Sequence, residues 1–324
     1  MYSGRALQSS RAVARGMRGF SSGQSLHSQQ EAVRRVTVIG GGQMGSGIAQ
    51  VAAAHKHEVT LVDVNSEALK RGQAYMVKSL KRVAKKKHSD DEAAQSRFVD
   101  EIMGRVTVST QLQDAVGRAD LVVEAVVEKL QVKQELFARV SEAAPGTAIL
   151  ASNTSSLPIG KIAEGLEEGQ RRRMVGLHFF NPVPQMKLVE VVRTEEADAQ
   201  VVERAVAFVR AIGKEPAVCK DTPGFIVNRL LLPYMMEAVR LLERDVASPR
   251  DIDTAMKLGA GYPMGPFELC DYVGLDTIKY IVDGWHKDGA GLKGNPLFAP
   301  SAKLDELVKS GRLGVKTGKG FYDY

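Results

Sequence analysis

The chain has 324 residues, 44% hydrophobic and 25% charged, enough apolar material for one large or two ordinary globular domains. It holds no run of about 18 uncharged apolar residues, which excludes a simple membrane-spanning helix. Its net charge of +6 is concentrated at the start: Arg5, Arg11, Arg15 and Arg18 lie in a segment, 1–30, without Asp, Glu or Lys. The remainder carries only +2, which gives no case for a nucleic-acid partner.

That first segment mixes spaced arginines with Ser9, Ser10, Ser21, Ser22 and Ser25 and lacks the apolar run of a secretory signal. The composition predicts a mitochondrial transit peptide over 1–30, processed near Phe20, although a plain basic tail would read similarly. Cys219 and Cys270, the two cysteines, form no CxxC and join no histidine cluster, so neither a disulfide framework nor a metal site is expected. Both read as buried small apolar residues.

From Arg35 the pattern becomes regular. Val36-Thr37-Val38-Ile39 reads as a strand, glycines follow, 48–54 reads as a compact helix, and Val59-Thr60-Leu61-Val62-Asp63 reads as a second strand. Such a unit implies parallel strands joined by a right-handed crossover. Further strands are expected at 106–109, 121–124, 148–151 and 174–179, with helices between most of them, which predicts a Rossmann-type doubly wound α/β sheet. Residues 67–103 are too many for a simple crossover, and their Lys-rich helical character predicts an inserted helical hairpin.

After Asp221-Thr222-Pro223-Gly224 the strand signals stop. A long Leu- and Met-rich helix is expected over 225–246, with further helices around 249–258, 264–286 and 301–310. The reading is therefore an α/β domain over 31–220 followed by an all-α domain over 221–324. The apolar first helix would bury either a second copy of the chain or the core of its own domain.

Gly40, Gly42 and Gly45, within Gly40-Gly41-Gly42-Gln43-Met44-Gly45, have G-x-G-x-x-G spacing between a strand and a helix. Glycine serves there for a tight turn, close approach to a pyrophosphate and close helix–strand packing, while the helix start offers free amides to phosphate. Asp63 ends the next strand, where a carboxylate accepts ribose hydroxyls and repels a 2′-phosphate, so NAD is the expected cofactor.

Chemistry in such sheets lies beyond the carboxyl ends of the strands. Of six histidines only His178 ends an apolar strand there, in Leu177-His178-Phe179-Phe180-Asn181-Pro182. Asn181-Pro182-Val183-Pro184 should turn the chain into a returning strand over 188–193. A hairpin centred near Pro184 sets Glu190 across from His178, and a carboxylate facing an imidazole fixes its tautomer and suits it to act as a base. Ser155, within Ser152-Asn153-Thr154-Ser155-Ser156, and Asn228, early in the long helix, fit the same rim. Helix capping and surface solvation would explain them equally well.

These segments, together with Asp221-Thr222-Pro223-Gly224-Phe225-Ile226-Val227-Asn228-Arg229, resemble the short-chain L-3-hydroxyacyl-CoA dehydrogenases from about Arg34 to Tyr324. The resemblance implies NAD-dependent oxidation of (S)-3-hydroxyacyl-CoA to 3-ketoacyl-CoA in fatty-acid β-oxidation, in the mitochondrial matrix, by a homodimer. It implies His178 as the base, Glu190 as its partner, and Ser155 and Asn228 on the reacting oxygen. It places NAD against Gly40, Gly41, Gly42, Gln43, Met44, Gly45, Asp63, Glu128, Lys133, Ser155, Asn181 and Lys316, and coenzyme A against Ser79 and Lys86. Alongside Lys86, residues Lys81, Arg82, Lys85 and Lys87 could attract phosphates, though such a run is also an ordinary solvated face. The rival readings are a β-hydroxyacid dehydrogenase acting on free acids and a crystallin-like or regulatory relative without turnover. The connections 164–173 and 288–300 depart from the family pattern and read as loops away from the chemistry.

Overall fold

In the computed structural model, which describes residues 32–324, the first half alternates strand and helix. The leader and its expected processing site lie outside the described residues. The order is β1 (Arg35–Ile39), α1 (Gln43–Ala54), β2 (Glu58–Val62), α2 (Ser66–Lys87), α3 (Glu92–Met103), β3 (Val106–Ser109), α4 (Leu112–Val116) and β4 (Leu121–Glu124). It continues with α5 (Leu130–Ala143), β5 (Ile149–Ser152), α6 (Ile159–Ile162), α7 (Glu168–Arg171), β6 (Met174–Phe179), β7 (Leu188–Arg193), α8 (Ala199–Ala211) and β8 (Glu215–Lys220). Helices alone follow: α9 (Val227–Glu243), α10 (Pro249–Ala260), α11 (Pro266–Val273), α12 (Leu275–Asp288) and α13 (Ala302–Lys309), with short 3-10 turns.

The strands make one sheet in the order β3-β2-β1-β4-β5-β6-β7-β8, parallel except for the β6–β7 pair. This is the doubly wound arrangement, and its order reverses between β1 and β4, where the crevice for a ligand opens. The central strands are rich in Val, Ile and Leu and buried along their length, as a sheet covered on both faces requires. Val38, Ile48 and Leu61 pack on one face with α1, α2, α3 and α8; Phe137, Ile159 and Leu150 pack on the other with α5 and α6. Each fully buried side chain of this kind contributes about 1.5–3 kcal/mol.

The insertion is a helical hairpin of α2 and α3. Asn65 caps α2 by accepting from the Glu67 amide, Asp91 caps α3 by accepting from Ala94, and Lys85–Lys87 complement the carbonyl end of α2.

Several local expectations are corrected. β8 was not foreseen, because Pro216 interrupts its pattern and its exposure is mixed; Pro is tolerated there because β8 is an edge strand. The expected helix at 264–286 is two helices, split at Gly274, whose φ of +102° only glycine adopts readily. β5 is shifted by one residue, so Ser152 ends it. The two connections read as loops contain α7 and a 3-10 turn at Pro296–Phe298. Cys270 is buried but Cys219, on the edge strand, is only half-buried; both are free thiols.

Candidate active site

The glycines at the start of α1 act through the side chains they lack. Gly40 has φ +114°, and a Cβ there would stand 2.4 Å from the Ala125 carbonyl oxygen. A Cβ on Gly45 would lie 1.9 Å from the Gly40 carbonyl oxygen, so the helix meets its strand as only glycine allows. Above Gly42 there is open space, and no side chain caps the first turn of α1. Free helix-start amides beside an open glycine backbone are what a pyrophosphate needs. Asp63 stands just past β2; its Oδ2 accepts from the Gly41 amide at 2.8 Å and its Oδ1 from the Asn65 amide at 2.9 Å. Gly40, Gly42, Asp63, Val64, Val126 and Leu136 help line a cavity of about 600 Å³. Apolar walls, a glycine floor and Asp63 at the strand end fit the adenosine half of NAD, with Glu135 and Arg139 also on the lining.

Beyond β4 lies a buried charge cluster. Glu124 is fully buried; its Oε1 accepts from Lys133 Nζ at 2.6 Å and from the Val126 amide at 2.7 Å, and its Oε2 accepts from the Ser152 hydroxyl at 2.6 Å. The Lys133 ammonium also pairs with Glu128 at 3.1 Å. Glu128 in turn accepts from the Thr154 hydroxyl at 2.5 Å and from the Ser155 and Ser156 amides at 3.0 and 3.1 Å. Burial acts to raise the Glu128 carboxyl, but the Lys133 charge and the Thr154 hydroxyl outweigh it and hold the pKa below the usual carboxylate value. The cluster therefore fixes the loop that carries Ser155.

The β6–β7 pair sets His178 opposite Glu190 in register. His178 Nδ1 lies 2.7 Å from Glu190 Oε2, and both residues are buried. The second carboxylate oxygen of Glu190 accepts from the Ile226 and Val227 amides, at 3.0 and 2.8 Å, at the start of α9. One carboxylate thus joins the sheet to the helical half, and every acceptor position it uses is charge-assisted. Phe180 and Phe225 pack on the imidazole, with ring centroids 4.4 and 5.7 Å away. Asn228, the second residue of α9, donates to the Ser155 carbonyl at 3.3 Å.

His178, Ser155, Asn228, Asn181, Met44 and Glu128 line one cavity of about 430 Å³, whose other wall is formed by Leu231, Met235, Ile278 and Ile281 of the helical half. The residues expected around the reaction therefore converge. Asn181 also accepts from the Gln43 side chain at 3.0 Å, tying the β6–β7 turn to the glycine helix. Four expected contact residues stand apart. Lys133 is buried behind Glu124 and Glu128, Lys316 pairs with Asp276 at 2.6 Å, and Ser79 and Lys86 of α2 line neither cavity. Glu124 and Thr154 escaped the sequence reading; a carboxylate closing an otherwise apolar strand at Glu124 was the available signal.

Among the described residues, no group of three or more His, Cys, Asp or Glu could hold a metal ion, and no helix is long and apolar enough to cross a membrane. The sheet order, the glycine cradle with its acid, and the imidazole–carboxylate pair at the strand ends define a Rossmann-type, dinucleotide-binding oxidoreductase. Two family models cover nearly all the described residues: the 3-hydroxyacyl-CoA dehydrogenase NAD-binding domain matches 35–222 and the C-terminal domain of the same family matches 224–324. The chain belongs to the 3-hydroxyacyl-CoA dehydrogenase family. It is 54% identical to the mitochondrial hydroxyacyl-coenzyme A dehydrogenase of Homo sapiens, over 94% of this chain and 95% of that one. A probable 3-hydroxyacyl-CoA dehydrogenase of Caenorhabditis elegans is also 54% identical, over 93% and 96%. Among solved structures, an (S)-3-hydroxybutyryl-CoA dehydrogenase from Ralstonia eutropha matches with a TM-score of 0.82 and 36% identity, over 90% of this chain and 99% of that one.

Proposed function

We propose that this chain oxidises (S)-3-hydroxyacyl-CoA to 3-ketoacyl-CoA with NAD, as a step of fatty-acid β-oxidation. The observation that carries the reading is the His178–Glu190 pair at 2.7 Å on the wall of the cavity between sheet and helices. NAD would be held by Gly40–Gly45 and Asp63, with Glu128, Ser155 and Asn181 toward its other end, and it supplies the acceptor for the hydride that leaves C3; Lys133 would act on it only through Glu128, and Lys316 only after leaving Asp276. With Nδ1 engaged by Glu190, His178 has Nε2 available to take the proton of the 3-hydroxyl. Glu190 fixes the ring orientation and offsets the positive charge that His178 acquires. Ser155 and Asn228 hold the substrate oxygen, and the apolar wall of Leu231, Met235, Ile278 and Ile281 excludes water.

Coenzyme A is assigned to Ser79 and Lys86 on α2; the exposed Lys81, Arg82, Lys85 and Lys87 around them support an anionic ligand there. The chain divides into an NAD-binding domain over 31–220 and a substrate and dimerisation domain over 221–324. Exposed Leu258 (83%), Tyr280 (81%) and Leu230 (69%) on the helical half support a second copy as partner, and a sedimentation experiment showing monomer alone would exclude it. The mitochondrial names of close relatives, and the composition of 1–30, support a matrix location reached through a transit peptide.

Loss of NADH absorbance with acetoacetyl-CoA, set against free acetoacetate, tests the activity. Oxidation that depends on the CoA ester is expected. Preference for the free acid would move the chain to the β-hydroxyacid dehydrogenases, and bound but unoxidised NADH would leave a non-catalytic relative.

A further inference from the structure

Lys214 is a buried lysine with no acid for a partner. It follows the α8 turn at Ile212-Gly213, is 8% exposed, and among the described residues no carboxylate pairs with it. Burial alone pulls its ammonium below the ordinary lysine pKa. Placing an ammonium there is costly, and a hydrophobic residue of similar length would avoid the cost. What the ammonium does is specific: Nζ donates to the Val183 carbonyl at 2.5 Å and to the Met186 carbonyl at 2.6 Å. Both carbonyls lie within the turn joining β6, which carries His178, to β7, which carries Glu190.

The base of the side chain is itself fixed. The Lys214 amide donates to the Val209 carbonyl at 3.1 Å, and the Glu215 amide donates to the Lys187 carbonyl at 2.8 Å. On its far side the turn is held by α1: Val183 is buried against Gly47, where an added Cβ would stand 2.9 Å from the valine Cβ. Asn181, in the same turn, accepts from Gln43 at the start of that helix. The turn is therefore held on one side by two contacts to the glycine helix and on the other by two hydrogen bonds from Lys214.

We infer that Lys214 is a positioning residue: its buried ammonium pins the Val183 and Met186 carbonyls and so holds the His178–Glu190 pair in its working geometry. It touches neither substrate nor cofactor and acts through the turn. The inference rests on the dehydrogenase reading above. Two measurements on the full-length chain keep the two claims apart: steady-state oxidation of NADH by acetoacetyl-CoA, and amide hydrogen exchange over 181–187 without ligands.

In Lys214→Met, kcat is expected to fall about 100-fold, as a displacement of about 1 Å at a reacting group produces. The Kd for NADH should stay within about threefold, since the glycine cradle is untouched. Exchange should quicken over 181–187 and not over 43–54, and Lys214→Arg, which keeps the donors, should recover about tenfold of the lost rate. If methionine prevents folding, Lys214→Gln carries the same comparison. A kcat within about threefold of wild type, an equal loss of NADH affinity, or unchanged exchange across 181–187 overturns the inference. A wild-type chain that does not turn over would instead sink the dehydrogenase reading, and the exchange result would still decide whether Lys214 pins the turn.

Discussion

The two ends of the cleft are built by opposite means. At the cofactor end Gly40, Gly42 and Gly45 matter for the side chains they lack, which leaves main-chain amides free to meet a phosphate. At the reaction end side chains are brought together from separate elements: His178 meets Glu190 across a hairpin, Glu190 meets the amides of Ile226 and Val227, and Asn228 meets the Ser155 carbonyl. The cofactor end is local in sequence, and at Gly40 and Gly45 it has no room for a Cβ. The reaction end is non-local and turns on one buried carboxylate that the imidazole and two main-chain amides share. Binding and turnover should therefore be separable by mutation.

Gly45→Ala is the strongest way to break the cofactor end alone. The new methyl would fall 1.9 Å from the Gly40 carbonyl oxygen, so helix and strand must part. We expect NADH affinity measured by calorimetry to fall at least about 100-fold, with a stability loss of about 3 kcal/mol from overpacking. Unaltered NADH binding would mean that close backbone approach is not what the motif supplies.

Glu190→Gln sharpens the comparison from the other side. It keeps the shape but removes the charge that two α9 amides and the imidazole share. The expected results are a kcat loss of about 100-fold and a stability loss on the order of 2 kcal/mol, with the Kd for NADH unchanged. Equal damage to NADH binding would show that the two ends are not independent.

This division also explains what the sequence disclosed. A glycine motif between strand and helix, followed by Asp63, is legible because each part lies within one βαβ unit. The facing of His178 and Glu190 was legible because a hairpin turn sets register over a short span. Lys214 was not, since a buried ammonium is recognisable only once the carbonyls that surround it are in place, whereas Glu124 left a signal as the one charge closing an apolar strand. The remaining differences have local causes. Edge position lets Pro216 sit in β8, and the positive φ of Gly274 cuts a continuous helical pattern in two. Lys316, Ser79 and Lys86 depend on a bound ligand or a closed cleft for any role, which neither pattern nor fold alone supplies.

The central claim is that His178 moves the proton and does not hold the cofactor. The direct test is His178→Gln, assayed for single-turnover oxidation of NADH by acetoacetyl-CoA beside a fluorescence titration of NADH. A rate lower by on the order of 10³ with NADH affinity intact is the predicted result. A rate near wild type, or a loss of rate matched by the loss of NADH binding, would contradict it.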